Sequence, residues 1–295
     1  MNLSPSHNQA NAGILCREMV RADCAAVAEL LTKGFAEWRD NQFWVQAMDR
    51  LCARVPPDGL PQFGYVLVAS GRIVGVLLLI ASQEDAAGAS IRRCNVSSWY
   101  VEPEFRIYGS LLVTRALRRR DVTYLNVTPA PETWKVLVAQ GYRQFIDGRA
   151  VAIPLLARSG SRAEIRVAEP GLVQGNDLSE NEVTLLLDHA RWDCISLVCD
   201  TPSGRLPFVF GQRRRRGVKY AYVIYCRTLD SVAEHARPLG RYLARRGIGF
   251  MVVDADARLP GMPGWFEAGF PKFYRGEQPP RAGDLAYTER AVFGV

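Results

Sequence analysis

The stretch at residues 97–117, SSWYVEPEFRIYGSLLVTRAL, decides how the rest of this chain is interpreted. Its apolar and aromatic run ends at Val101 and is stopped by Pro103, which predicts a buried strand. After Arg106 and Gly109, apolar residues recur at helical spacing, which predicts an amphipathic helix. A strand followed by a basic, glycine-containing turn and a helix presents amide groups and the positive end of a helix dipole to an anion. The stretch therefore predicts a phosphate-binding turn.

Four residues of this stretch also form a motif. Val101, Pro103, Arg106 and Gly109 match the V-x-P-x-x-R-x-x-G core of the GCN5-related N-acetyltransferase (GNAT) superfamily, and the chain resembles that family. In the family this turn holds the pyrophosphate of coenzyme A. The resemblance implies an α+β fold with a mixed, mostly antiparallel sheet flanked by helices. It also implies transfer of an acyl group from acetyl-CoA, or another acyl-CoA, to an amine or hydroxyl.

The other elements predicted before residue 157 follow the order of the GNAT fold. The predicted helices cover residues 19–35, 41–55 and 131–140, and the predicted strands cover residues 65–69, 73–80, 94–101 and 122–127, with one or two more at 142–153. Asp23 is the predicted N-cap of the first helix. Ser70-Gly71-Arg72 predicts a hairpin turn. The segment AQGYRQF resembles the family's helix-ending signature, because Gly141 suits a left-handed C-cap.

A fainter copy of this pattern follows in the second half of the chain. Ser203-Gly204-Arg205 repeats the hairpin tripeptide, and Ala268-Gly269-Phe270 resembles Gln140-Gly141-Tyr142. The short polar segment ARSGS suits a linker. We therefore predict two GNAT-like α/β domains in tandem. The predicted division is a disordered arm (1–18), a GNAT domain with the coenzyme A site (19–156), a linker (157–165) and a degenerate GNAT-like domain (166–295).

The second copy lacks features that a diphosphate needs. Arg237 and Gly240 stand where Arg106 and Gly109 map, but Glu234 replaces the proline of the motif. Pro238 removes an amide that a phosphate cradle uses. We therefore expect no cofactor in this half, whose expected role is to complete the groove of the first domain or to shape the acceptor pocket.

The resemblance implies which residues bind the cofactor. Backbone groups near Tyr100 and Val101 pair with the pantetheine amides, the amides of residues 107–111 hold the pyrophosphate, and Arg106 is a charge partner. Asn126, at the end of the following strand, hydrogen-bonds the cofactor arm. The cofactor-binding residues predicted in this way are Tyr100, Val101, Arg106, Ile107, Tyr108, Gly109, Ser110, Leu111 and Asn126.

The catalytic residues follow less directly. The family loop usually has a second small residue after the glycine, but here Gly109 is followed by Ser110 and Leu111. The family often has a tyrosine four residues before the helix-ending glycine, to protonate the leaving thiolate. That position is Leu137 here and Trp265 in the second copy, which leaves Tyr100 and Tyr142 as candidate substitutes, neither of them assignable from sequence.

No carboxylate stands where the family often has its base. That place is the middle of the third strand, where the sequence reads Asn95, Val96, Ser97 and Ser98. Glu102 is the nearest acid and is a candidate, although a solvated carboxylate at a strand end is the more common role for such a residue. Positioning and a water-relayed proton can replace a dedicated base.

Composition leaves the anionic partner open. The chain has 295 residues, enough for two units with separate cores, and a formal net charge of +7. Such a charge suits a nucleic acid as well as a cofactor with several phosphates. The four arginines at 213–216 lie between two strand-like segments and are interpreted as a solvated hairpin tip. A non-catalytic ligand sensor with the GNAT fold and a nucleic-acid-binding protein are the two alternatives to an acyltransferase, with nucleic acid the less favoured partner.

Other patterns predict neither metal nor membrane binding. The seven cysteines are scattered without a C-x-x-C pair and the chain has three histidines, so we predict reduced thiols and no metal. The N-terminal segment resembles no signal peptide and the longest apolar run is too short to span a bilayer, so we predict a cytoplasmic protein. Asp254 and Asp256 are a less favoured acid–base pair. The expected acceptor is a small-molecule or peptide amine, and a homodimer is compatible with the sequence.

Overall fold

The fold combines strands with short helices throughout the part of the chain that the structure describes. The computed structural model describes residues 13–86, 89–158, 161–171, 173 and 177–295. Its strands are β1 (Leu15–Glu18), β2 (Gly64–Ala69), β3 (Arg72–Ala86), β4 (Ala89–Val101), β5 (Thr123–Asn126), β6 (Arg143–Ala152), β7 (Glu164–Val167), β8 (Ile195–Thr201), β9 (Gly204–Arg215), β10 (Val218–Cys226), β11 (Phe250–Ala255) and β12 (Gly264–Arg275).

Helices flank these strands. The α-helices are α1 (Cys24–Gly34), α2 (Asn41–Cys52), α3 (Gly109–Ala116), α4 (Trp134–Ala139), α5 (Glu180–Arg191), α6 (Leu229–Glu234), α7 (Ala236–Ala244) and α8 (Glu289–Val292), and short 3-10 helices cover Arg21–Asp23, Pro103–Tyr108, Pro131–Thr133 and Pro154–Leu156. Among the strand pairs whose register is described, β4 with β5 and β10 with β11 are parallel, and the others are antiparallel. The predicted α+β class, with a mixed and mostly antiparallel sheet, is confirmed.

The chain divides into two compact units. The first is drawn from Met1–Ser82 and Val96–Asp121, and the second from Gln83–Asn95 and Val122–Val295. β3 and β4 contribute residues to both units, so this division does not fall at residues 157–165. The predicted division into domains stays a prediction.

The first unit contains β1, β2, most of β3, the end of β4 and helices α1 to α3. Ser70 and Gly71 have positive φ angles of 49° and 77°, which lets the chain reverse between β2 and β3. Asp40 caps α2 by accepting a hydrogen bond from the amide of Phe43 at 2.8 Å. Helix α2 buries the apolar residues Trp44, Ala47, Met48 and Leu51. The predicted hairpin and the predicted second helix are thus confirmed.

Two element boundaries and the role of Asp23 differ from the sequence-based expectations for the first unit. Helix α1 begins at Cys24, and Asp23 makes no side-chain cap bond to it. The Asp23 carboxylate instead accepts hydrogen bonds from Arg17 and from the amide of Val20. Residues 1–12 of the predicted arm lie outside the described residues. Leu15–Glu18 form a strand rather than an arm, because their backbone groups pair with the edge of β2.

The second unit has the strand order β4-β5-β12-β6-β11-β10-β9-β8-β7. Strand β12 lies between β5 and β6, and β6 lies between β11 and β12. The parallel pair β4–β5 is thus matched by the parallel pair β10–β11, but the next strand is exchanged between the two series: β12 pairs with β5, and β6 pairs with β11. Apolar residues of β9, β10, β11 and α7 form the core of this unit, including Phe208, Phe210, Val223, Met251 and Leu239.

Two expectations for the second half are wrong. Gly269 ends no helix: it lies inside β12, with φ +83°, where the register to β6 shifts between Ala268 and Lys272. Trp265 is therefore a strand residue and not the helical counterpart of Leu137. In the predicted linker, residues 159–160 lie outside the described part, and its last two residues belong to β7. The tripeptide Ser203-Gly204-Arg205 does lie at the β8–β9 hairpin, as predicted.

Candidate functional site

The predicted phosphate turn is helical rather than open. The 3-10 helix Pro103–Tyr108 leads directly into α3, and the amide of Gly109 donates to the carbonyl oxygen of Arg106. The amide of Phe105 donates to the carbonyl of Glu102 at 2.9 Å. The Gly109 amide, one of those expected to hold a phosphate, is thus engaged within the chain. The remaining anion-binding features are the N-terminal end of α3 and nearby side chains.

Gly109 allows α3 to lie close against β4. A Cβ atom at this position would lie 3.3 Å from the ring of Trp99 and 3.6 Å from Val101. Gly75 has the same role in β3, where a Cβ would lie 3.1 Å from Val101. The branched side chain of Val101 therefore packs close to the backbone of Gly75 and of Gly109, because neither glycine carries a side chain.

The surface of this turn is basic and partly apolar. Arg106 and Ser110 are exposed, as are Ile107 at 79% and Leu111 at 42%. Tyr108 is half-buried. The exposed cations of α3 and the segment that follows it are Arg115, Arg118 and Arg120. A phosphorylated ligand with an apolar part matches such a surface.

Strand β4 is irregular where the motif begins. Ser98 has a φ of +47°, in the left-handed region that a non-glycine residue seldom adopts. Beyond it Tyr100 packs against Gly34, where a Cβ would lie 2.4 Å from its ring, and against the ring of Phe35, with centroids 6.3 Å apart. Trp99, which lies between Ser98 and Tyr100 in the sequence, is 40% exposed. The side chain of Tyr100 is thus placed by helix α1 rather than by the turn.

Two further catalytic candidates have structural partners. The carboxylate of Glu102 forms an ion pair with Arg72 at 2.7 Å, and its amide donates to the carbonyl of Val74. Tyr142 is 4% exposed, and burial raises the pKa of its phenol well above the usual range. Neither residue has a feature that points to proton transfer, and both assignments stay predictions.

The second unit contains the place where β4 and β5 stop pairing, which we call the β4–β5 fork (Asn95, Leu125 and Asn126). Asn95 pairs with Leu125, the last registered pair, and Asn126 pairs on its other side with Phe273 of β12. The side-chain oxygen of Asn95 accepts a hydrogen bond from the amide of Glu289 at 2.9 Å.

Glu289 is a carboxylate that the sequence did not indicate. It is 5% exposed, and the hydroxyl of Thr128 donates a hydrogen bond to its carboxylate. Asn95 and Glu289 are separated by 194 residues, so no local pattern connects them. The one available signal was the absence of an acid at residues 95–98 of β4.

The corresponding part of the second half is filled by the chain itself. Tyr222 is the last residue of β10 that pairs with β11. Beyond it, β10 pairs with residues 283–285: the amide of Cys226 donates to the carbonyl of Gly283 at 2.9 Å, and the amide of Leu285 donates to the carbonyl of Ile224 at 2.8 Å. Helix α7 likewise packs on the 3-10 helix before β7. A Cβ on Gly240 would lie 2.4 Å from the backbone nitrogen of Leu155.

The two aspartates after the buried strand do not form a pair. Asp254 is buried in β11, accepts a hydrogen bond from the hydroxyl of Tyr222, and lies 3.4 Å from the ammonium of Lys272. Asp256 is exposed and accepts from the amide of Asp147 at 2.7 Å. Burial lowers the pKa of Lys272 and raises that of Tyr222, so this cluster is part of the core.

The arginine run forms a hairpin tip, as expected, with one exception. Arg216 and Gly217 make the turn between β9 and β10. Arg213 is not solvated: it donates to the backbone oxygens of Arg290 and of Val295, the latter at 3.0 Å. Burial lowers the pKa of Arg213, with the nearby charge of Arg290 acting in the same direction.

Neither a metal site nor a membrane span is visible in the described ranges. Within them, no three His, Cys, Asp or Glu side chains are grouped so that they can hold a metal ion. None of the helices described is long and apolar enough to cross a membrane. The absence of a metal and the cytoplasmic location stay predictions.

Several solved structures with a similar fold are described as acetyltransferases. The chain is similar to a GCN5-related N-acetyltransferase from Anabaena variabilis (TM-score 0.58, 12% identity, 89% of this chain and 72% of that one). It is also similar to a GCN5-related N-acetyltransferase from Kribbella flavida (TM-score 0.55, 11% identity, 91% of this chain and 72% of that one). A Pyrococcus horikoshii protein assigned as an acetyltransferase is similar as well (TM-score 0.55, 11% identity, 97% of each chain). No family model and no curated protein matches. The chain has the fold of the GNAT superfamily.

Proposed function

We propose that this chain is an acyl-CoA-dependent acyltransferase. It moves an acetyl or other acyl group to an amine, or a hydroxyl, of a small molecule or peptide. The observation that carries the proposal is the V-x-P-x-x-R-x-x-G motif, which lies at the junction of β4 and α3 in a GNAT fold. A fold alone hosts many functions, so the motif at this junction is needed to connect the fold with a cofactor.

The donor site uses backbone and side-chain groups of the turn. Arg106 is exposed and supplies a positive charge next to the N-terminal end of α3. Gly109 carries no side chain that would cover this end of the helix. The backbone near Tyr100 and Val101 receives the pantetheine amides. Ile107 and Leu111 offer apolar surface beside the charges. The bound thioester supplies the activated acyl group.

A second candidate is a non-catalytic module that binds acyl-CoA or a related phosphorylated ligand. It is favoured by the internal hydrogen bond of the Gly109 amide and by the ion pair of Glu102 with Arg72. Nucleic-acid binding has less support, because Arg213 of the arginine run is half-buried and donates hydrogen bonds to the backbone oxygens of residues 290 and 295.

The test is calorimetric titration with acetyl-CoA and with free coenzyme A at moderate salt. The test variant combines Arg106→Glu with Gly109→Pro. The φ of −58° at Gly109 permits proline, and a proline ring fills space beneath Trp99. The matched control is Arg237→Glu, which makes the same charge change at an exposed position of α7.

We expect wild type and the control to bind one acetyl-CoA per chain. The double variant should bind acetyl-CoA at least about tenfold more weakly, because a bound phosphate loses its charge partner. Release of free thiol when an amine is added then separates the enzyme from the non-catalytic module. An absence of binding to either ligand by wild type contradicts the proposal. If the double variant binds acetyl-CoA as tightly as wild type, the cofactor does not bind at this turn.

A further inference from the structure

The second unit contains a hydrogen-bonded pair of a serine and a histidine that the proposed donor site does not include. The hydroxyl oxygen of Ser161 lies 2.7 Å from Nδ1 of His235. Ser161 belongs to the loop between the 3-10 helix Pro154–Leu156 and β7, and His235 lies between α6 and α7. The two residues are 74 positions apart in the sequence, so the fold of the unit brings them together.

Both residues are held in place by their neighbours. The amide of His235 donates to the carbonyl of Ser231 at 3.1 Å, and the carbonyl of His235 accepts from the amide of Leu239 at 3.1 Å. Ala163, two residues after Ser161, packs against the core of the unit. His235 is 4% exposed, whereas Ser161 is half-buried. The serine can therefore be reached from solvent while the imidazole beside it is enclosed.

The contacts around the pair favour one arrangement of its hydrogens. The amide of Ala163 donates to the hydroxyl oxygen of Ser161 at 3.3 Å, which leaves the hydroxyl hydrogen for His235. On the other side of the imidazole, Oε2 of Glu234 lies 3.9 Å from Nε2. A carboxylate on that side favours the tautomer with its hydrogen on Nε2. Nδ1 is then the acceptor, and the serine hydroxyl donates to it.

The histidine is in the protonation state that a base needs. Burial lowers the pKa of His235, while the charge of Glu234 acts in the opposite direction. The imidazole is therefore neutral at neutral pH. A serine hydroxyl is a weak nucleophile until a neighbouring base takes its proton. A hydroxyl, an imidazole and a carboxylate in this order activate serine on several unrelated folds.

We propose that Ser161 is a nucleophile that takes an acyl group from a carboxylic ester, with His235 as its base and Glu234 as a positioning residue. This activity is separate from the acyltransferase proposed above and does not need coenzyme A. Because Ser161 is only half-buried beside an enclosed imidazole, the expected ester carries a small acyl group such as acetyl.

The reaction consumes one ester and one water. The Ser161 oxygen forms a bond with the carbonyl carbon as its proton passes to Nδ1 of His235. The bond between that carbon and the alcohol oxygen then breaks, and the alcohol leaves with the proton. Water attacks the acyl-serine and gives a proton to His235, which returns it to the serine oxygen as the acyl group leaves. The products are a carboxylic acid, an alcohol and the original Ser161.

The test is covalent labelling with a fluorophosphonate, which phosphonylates activated serines with loss of fluoride. We expect one adduct per folded chain, located at Ser161 by peptide mass. Ser161→Ala should abolish this adduct, and His235→Gln should slow its formation about a hundredfold, the usual contribution of a general base. The matched control Ser203→Ala removes an exposed serine hydroxyl of the same unit and should label like wild type.

Three further measurements accompany the labelling. Release of p-nitrophenol from p-nitrophenyl acetate should be at least about tenfold slower in Ser161→Ala than in wild type or Ser203→Ala. Wild type unfolded in urea has the same serine without His235 beside it and should label at least about a hundredfold more slowly, a comparison that does not depend on a folded His235→Gln. Glu234→Gln should move the acid limb of the labelling rate to lower pH, because this carboxylate raises the pKa of His235.

The absence of an adduct at Ser161 in folded wild type overturns the proposal, as does equal labelling of folded and unfolded protein. An equal labelling rate in folded His235→Gln overturns it as well, and so does an equal rate of ester hydrolysis in Ser161→Ala. These results are independent of acetyl-CoA binding. If calorimetry finds no donor site, a labelled Ser161 still supports this activity, and the reverse outcome leaves the acyltransferase unaffected.

Discussion

The two halves of this chain repeat one strand order but differ where a cofactor would bind. In the first half, a Cβ on Gly109 would meet the side chains of Trp99 at 3.3 Å and Val101 at 3.6 Å, and the turn carries the exposed Arg106. In the second half, Gly240 is pressed against the backbone of Leu155, and the free edge of β10 pairs with residues 283–285. The same architecture thus leaves one strand–helix junction accessible and closes the other with its own chain.

This difference bears on the prediction that the second half is a degenerate copy that binds no cofactor. Unpaired strand edges and open helix ends are costly unless water, a ligand or protein satisfies them. In the second half protein does so, and a ligand there would have to displace it. One donor site per chain, in the first half, stays a prediction, and the comparisons below test it.

The largest contrast is expected between alanine substitutions at the two glycines. In Gly240→Ala the new Cβ meets backbone atoms of Pro154 and Leu155 at 2.4–2.6 Å, so the free energy of unfolding should fall by about 3 kcal/mol. In Gly109→Ala the neighbour is a partly exposed tryptophan ring, and alanine has the better helix propensity, so a change within about 1 kcal/mol is expected. Urea unfolding of both variants measures this. Similar losses would show that both junctions are closed.

Oxidation should also distinguish the halves. The Sγ atoms of Cys24 in α1 and Cys52 in α2 lie 3.7 Å apart, whereas α5 contains no cysteine. Burial, with the Cys52 hydrogen bond, raises the pKa of Cys24 to about 12, so disulfide formation should be slow at neutral pH and faster in alkali.

Treatment with diamide should therefore remove two hydrogens from the intact mass and stabilise the protein by up to about 3 kcal/mol. Cys24→Ser is the control and should abolish both changes. A disulfide mapped by peptide mass to any other pair would contradict this expectation.

Hydrogen exchange tests the ligand side of the contrast. Saturating acetyl-CoA should slow exchange of amides at residues 100–111 by at least about tenfold, because bound ligand suppresses local opening. The amides of Cys226 and Leu285 already donate within the chain and should change little. Protection that appears in the second half and not at the turn would reverse the assignment of the two halves.

The smallest effect is expected in acid, at the carboxylate before α1. Hydrogen bonds from Arg17 lower the pKa of Asp23 relative to its usual value. A folded-state pKa below the unfolded one gives stability that is present above the unfolded pKa and is lost as the pH falls through the folded pKa. Since Arg17 is 36% exposed, the contribution should be about 1 kcal/mol or less.

Asp23→Asn should therefore lower stability near neutrality and flatten its decline below about pH 4, as followed by thermal unfolding across pH. Glu182 is the matched residue of the second half. Burial acts to raise its pKa, but hydrogen bonds from Arg227 and Ser179 lower it overall, so Glu182→Gln should flatten the same decline. A pH profile of Asp23→Asn parallel to that of wild type would contradict the role of the Arg17 contact.

Much of the fold was predictable because its signals are local. The tripeptides at Ser70 and Ser203 predicted hairpins that the structure contains, since a left-handed glycine follows each serine. The resemblance of residues 268–270 to residues 140–142 was misleading, because a glycine with positive φ occurs at an irregularity within a strand as well as at the end of a helix. The short β1 was missed because edge pairing, not sequence pattern, stabilises it.

The sequence by itself determined the strand, motif and helix of residues 97–117, and with them the superfamily fold, because periodicity and glycine placement act over a few residues. Only the tertiary structure decided that the turn is a 3-10 helix, that residues 283–285 occupy the edge of β10, and that Glu289 lies at Asn95. These three features depend on hydrogen bonds, because polar groups of the backbone and side chains need partners once they are buried. Asn95 and Glu289 form such a bond although they lie 194 residues apart, and no local sequence pattern indicates it.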